Sequence, residues 1–118
     1  MAEVQYQLIQ PEKIIKSGRA WGVVLPTGEV NQTVVFGQSP TIVGVDNGVV
    51  QILSENGSVE DKFFVRAGSA HIADDKCIII SDEIILSTDI DDEFWKNHPQ
   101  NDDFYLMIAE YLRIHNKH

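Results

Sequence analysis

Four histidines and one cysteine are the side chains here that could ligate a metal or activate a nucleophile: His71, His98, His115, His118 and Cys77. A zinc site draws its ligands from close pairs, and these five do not form them, while His115 and His118 belong to a terminus that should fray. No metal is expected. Asp91, Asp92 and Glu93 could be read as paired carboxylates for acid and base work. Adjacent acids at the start of a helix more often form a solvated cap favoured by the helix dipole, and that reading is preferred. Cys77 precedes Ile78-Ile79-Ile80 in an apolar run, without a helix N-terminus to activate the thiol, so it reads as a small buried apolar residue. No Gly-x-x-x-x-Gly-Lys loop and no Gly-x-Gly-x-x-Gly turn offers a phosphate cradle. Catalytic residues, cofactor and direct nucleotide hydrolysis are all unexpected.

Composition narrows the partners. Nine Lys and Arg against eighteen Asp and Glu give a formal charge of −9. Bare nucleic acid and anionic lipid surfaces are poor partners for such a field, because both are held through basic groups. A single cysteine excludes an intrachain disulfide and fits a reducing compartment. Met1 to Gln5 show no basic stretch followed by an apolar run, so no signal peptide is expected, and no segment is long and apolar enough for direct membrane insertion. At 118 residues the chain suits one domain with a small appendage.

The elements that must position these residues are short strands. From Val23 to Leu53, three runs rich in Val, Ile and Thr are separated by Pro26-Thr27-Gly28, Gly37-Gln38-Ser39-Pro40 and Asp46-Asn47-Gly48. Pro26 and Pro40 should lie at strand ends, and Gly28 and Gly48 can supply positive φ. Upstream, Val4, Tyr6 and Leu8 alternate with Gln5 and Gln7, and Ser17-Gly18 predicts a turn before a strand from Arg19 to Leu25 carrying Trp21, a half-buried core or interface aromatic. Downstream, Asn56-Gly57 marks a hairpin and Asp74-Asp75-Lys76 another turn. Up to about ten such strands without an intervening helix predict a mainly β fold, a sandwich or flattened barrel.

Beyond Thr88 the pattern changes. Thr88 followed by Asp91 predicts an N-cap and a short helix to about Asn97, ended by His98-Pro99. Asn101, Asp102 and Asp103 open a second helix, with Arg113, His115, Lys117 and His118 suited to its C-terminal end. Its apolar positions Phe104, Met107, Ile108, Tyr111 and Leu112 recur every three or four residues, a docking face for which the domain's own sheet is favoured over another chain. The expected division is a β-sandwich domain over residues 1–88 and a helical tail over 89–118.

The ordered series of Gln10-Pro11-Glu12-Lys13, Val23-Val24-Leu25-Pro26, Gly37-Gln38-Ser39-Pro40, Asn47-Gly48-Val49-Val50-Gln51-Ile52, Val65 to Ile72, Cys77 to Ile80 and Asp82-Glu83 resembles the epsilon subunit of rotary proton-translocating ATP synthases. The match runs over about residues 4 to 88. It implies a ten-stranded flattened β-sandwich in which Pro26, Gly48 and Gly68 hold fold-defining turns. Gly37 and Pro40 keep two positions of the family's Pro-Gly-His-x-Pro corner, with Gln38 where His is usual, and Asn31 stands at the acidic position of a loop whose glycines fall on Val30 and Thr33. By resemblance, Asn31, Gln38, Ser39 and Pro40 face the membrane rotor ring. Asn31 and Gln38 can hydrogen-bond there but carry no charge.

The function the resemblance implies is that of a non-catalytic central-stalk subunit, joining the gamma-type shaft to the rotor ring during proton-driven ATP synthesis. It would lie peripherally on the cytoplasmic face of the energy-transducing inner membrane. The family's tail of two antiparallel helices can extend into the catalytic head and block hydrolysis, and whether the tail of about thirty residues here modulates hydrolysis stays open. The alternative is a stand-alone β-sandwich that binds a ligand or peptide, which predicts a well-formed apolar pocket.

Overall fold

The computed structural model describes residues 3–28, 30–98 and 102–115, with backbone alone at His115. The expected helix stop at Pro99, the start at Asn101 and the basic Lys117 and His118 lie outside these residues. Ten strands form: β1 (Val4–Gln10), β2 (Lys13–Ala20), β3 (Gly22–Leu25), β4 (Gln32–Val35), β5 (Thr41–Val45), β6 (Gly48–Leu53), β7 (Val59–Val65), β8 (Gly68–Ala73), β9 (Lys76–Ser81) and β10 (Ile84–Leu86). They build two five-stranded sheets, ordered β2-β1-β9-β8-β5 and β10-β7-β6-β3-β4. Every pair is antiparallel except β1 with β9.

Period-two alternation puts one face of each sheet into a shared core. Val4, Tyr6, Leu8, Ile72, Cys77 and Ile79 come from the first sheet, and Val23, Leu25, Val50, Ile52, Phe63 and Val65 from the second. Gln10 couples the layers by accepting the Ile84 N–H on its Oε1 at 2.8 Å.

Pro26 follows β3 and Pro40 precedes β5, both outside the ladders as a missing N–H requires. The Asp74-Asp75 hairpin has positive φ at both residues, the twist that suits a two-residue turn. Three expectations are corrected. Ser17-Gly18 is not a turn: β2 runs through it, with Gly18 opposite Tyr6, and the chain breaks at Trp21 instead. The reason is space, since a β-carbon at Gly18 would stand 3.0 Å from the Tyr6 hydroxyl. Positive φ occurs at Gly28, Gly37 and Gly57 but not at Gly48, whose missing side chain instead lets Pro26 approach. Thr88 is not the helix cap, because it lies in a 3-10 turn over Ser87–Asp89.

After that turn come helix α1 (Asp92–Asn97) and helix α2 (Asp103–His115). Asp91 caps α1, accepting the Phe94 N–H on Oδ1 at 2.9 Å, so the acidic cluster performs the structural task preferred for it above.

Candidate functional site: two sheet faces and an edge

The two outer faces of the sandwich differ. On the second sheet, Val49, Phe64 and Ile85 pair across neighbouring strands and form one apolar row. Helix α2 lies over that row. Phe104 and Ile108 are fully buried with Phe64, while Met107, Tyr111 and Leu112 pack around them together with Trp95 of α1. Tyr111 meets Phe64 edge-on with ring centroids 5.4 Å apart. The docking face written in the sequence is thus set against the chain's own sheet.

A polar cluster that the sequence did not disclose fastens the start of α2. Arg66, in the β7–β8 turn, pairs with Glu83 at 2.9 Å and with Asp102 at 3.1 Å, and its guanidinium lies 4.7 Å from the Phe104 ring centroid. The Tyr105 hydroxyl donates to Glu83, and Asp102 Oδ1 also accepts the Phe104 N–H at 2.8 Å. That backbone N–H, followed by Arg66, holds the Asp102 carboxyl below its usual range. Burial, then Glu83, pushes the Tyr105 hydroxyl up to about 12. Glu83 and its hydrogen bond raise Arg66 further above the range in which it could lose its charge. The residues are too far apart in the chain for spacing to reveal them.

Among the described residues nothing covers the first sheet in this way. Its outer face carries Ile9, Ile14, Ile78 and Ile80, with Ile9 opposite both Ile14 and Ile80. Ile14 is 56% exposed and Ile80 39%. A shallow groove beside them is lined by Gln5, Gln7, Ser17, Arg19, Lys76 and Ile78.

The residues expected at the rotor ring are divided. β4 and β5 are the edge strands of their sheets, joined through residues 36–40. Gln38, Ser39 and Pro40 share this corner, with Ser39 and Pro40 exposed. Gln38 closes it, accepting the Val35 N–H on Oε1 at 2.9 Å, and Gly37 donates to Asp75 Oδ1 at 2.8 Å. Asn31 stands at the other end of β4, beside Pro26, Gly48 and the α2 residues Met107 and Tyr111. The strand between them is about 13 Å long at 3.3 Å per residue. Sequence reading missed the exposed apolar side chains along this path: Val30, Phe36 and Ile42, at 76%, 49% and 68%. For Ile42 the available signal was its parity, one position out of phase with the buried Val45.

Residues 3–87 match the family described as ATP synthase, Delta/Epsilon chain, beta-sandwich domain. The chain belongs to this ATP synthase delta/epsilon family. Relatives in it include the ATP synthase epsilon chain of Granulibacter bethesdensis, 32% identical over 83 residues, and that of Sinorhizobium fredii, 30% identical over 86 residues. These matches take in 70% and 73% of this chain but 61% and 63% of the two relatives. The chain thus spans about three fifths of the length of the epsilon chains it matches. The delta/epsilon fold also recurs in a chain of the Euglena gracilis mitochondrial ATP synthase OSCP/F1/c-ring structure, with a TM-score of 0.68 at 19% identity over 95% of this chain and 76% of that one. A chain of the Tetrahymena thermophila mitochondrial ATP synthase central stalk and c-ring gives 0.58 at 16% identity, over 96% and 89%.

Proposed function

We propose that this chain is a non-catalytic, epsilon-type subunit of an ATP synthase central stalk, which seats the gamma-type shaft on the open face of the first sheet. The edge holding Asn31 at one end and Gln38, Ser39 and Pro40 at the other meets the membrane rotor ring, so that the sandwich transmits torque during proton-driven ATP synthesis. The observation carrying this reading is the inequality of the two faces. One apolar face is covered by α2, and the other presents isoleucines to solvent. Contiguous exposed aliphatic surface on a folded domain marks a contact site. A close-packed two-layer core deforms little under load, which suits a coupling element.

In this reading residues 1–88 form the coupling domain and residues 89–118 a tail docked on it. The subunit is peripheral, on the cytoplasmic face of the inner membrane. Among the described residues no helix is long and apolar enough to cross a membrane. The ligand-binding alternative called for an apolar pocket, whereas the space between the sheets is filled by Leu8, Leu25, Ile52, Phe63 and Ile79, each at most 1% exposed. Pull-down with the cognate shaft subunit tests the proposal. Retention of the full chain is expected, with Ile80→Asp released and its melting unchanged; absence of wild-type binding at micromolar concentration contradicts it.

A further inference from the structure

The sequence holds eighteen Asp and Glu, yet none of them lies in the five strands of the first sheet. Those strands carry Lys13, Lys16, Arg19 and Lys76. Register arranges the outer face in rows. Gln5 pairs with Arg19 on one side and Lys76 on the other, giving a row with two cations. Four positions further along β1, Ile9 sits between Ile14 and Ile80 in an aliphatic row. The distance between these rows is about 13 Å, at 3.3 Å per residue.

Arg19 and Lys76 make no ion pair among the described residues. The acids beside them are Glu3, Asp74 and Asp75, which border the same depression, and Asp75 Oδ1 is engaged by the Gly37 N–H. In a protein of charge −9 an acidic partner is repelled by most of the surface and drawn to a face whose strands carry cations and no carboxylate.

We propose that the outer face of the first sheet is a two-part docking surface for an acidic partner, whose aliphatic side chains cover Ile9, Ile14 and Ile80 while its carboxylates meet Arg19 and Lys76. This rests on the reading that the face seats the shaft, and adds what the shaft must present there. A second copy of the chain is a poorer occupant, because like faces would bring cations against cations.

The test measures association of the full-length chain with the cognate shaft subunit at low and high salt. Arg19→Gln with Lys76→Gln is expected to slow association about tenfold at low salt and to flatten its salt dependence, with melting unchanged. Arg19→Lys with Lys76→Arg should retain the wild-type rate. If the wild type binds and the neutralised variant matches it in rate and salt slope, the two-part surface is overturned while the shaft reading stands. If the wild type fails to bind the shaft at all, the shaft reading itself falls. Self-association of the wild type that Ile80→Asp abolishes overturns the proposal in favour of a second copy.

Discussion

At Gly68 a β-carbon would stand 2.0 Å from the carbonyl oxygen of Ile80, and at Gly48 2.5 Å from Cβ of Pro26. Backbone cannot yield as a flexible side chain can, so Gly68→Ala should cost about 3 kcal/mol or more. Gly44 has nothing within 4 Å of the same construction. Gly44→Ala should therefore stay within about 0.5 kcal/mol of wild type in denaturant unfolding, and equal losses at the two sites would refute the steric account. Cys77 is fully buried, and burial pushes its thiol up to about 12. At neutral pH its labelling should await opening of the sandwich; fast reaction of the native protein would contradict that. Gly48 and Gly68 could be singled out from the sequence as turn positions. The reason for Gly48 could not, because a close approach to Pro26 is made in three dimensions and leaves no local pattern.

The element whose attachment is most exposed to test is α2, buried along Phe104 and Ile108 and fastened at its start by Arg66. Ile108→Asp puts a carboxylate into that apolar contact, so amide exchange in α2 should rise while the strands stay protected. Asp102 has a depressed folded-state pKa, so its contribution is complete above the unfolded carboxylate value of about 4 and fades as pH falls through the folded one. Tyr105 works in the opposite sense. Its contribution is complete below the unfolded value of about 10 and is lost as pH rises toward about 12. Protection of the α2 amides, taken relative to the intrinsic exchange rate at each pH, should therefore fall at both extremes, and Arg66→Met should weaken the acid response; a flat protection profile would contradict the latch. The helical spacing of Phe104, Ile108, Tyr111 and Leu112 was legible. The Arg66, Glu83, Asp102 and Tyr105 cluster was not, since it joins a turn, a strand flank and a helix that meet only in the folded chain.

For the whole molecule, turn residues disclosed up to about ten strands, because Pro, Gly and Asp leave a local mark at most breaks, although the break at Trp21 carries none of them. Strand order did not follow from them. Parallel pairing of β1 with β9 sets Gln5 between Arg19 and Lys76, and only that pairing reveals a sheet without carboxylates. The division of Asn31 from Gln38 along β4 was hidden likewise, since nearness in sequence suggested a single cluster. The central claim is that the open face of the first sheet seats the shaft while the opposite face holds α2. Its most direct test is a photo-crosslinking residue placed at position 80 of the subunit within assembled ATP synthase. The account predicts a product with the shaft subunit from position 80. Capture of the rotor ring from that position, or no product in an assembly that contains the chain, would contradict it.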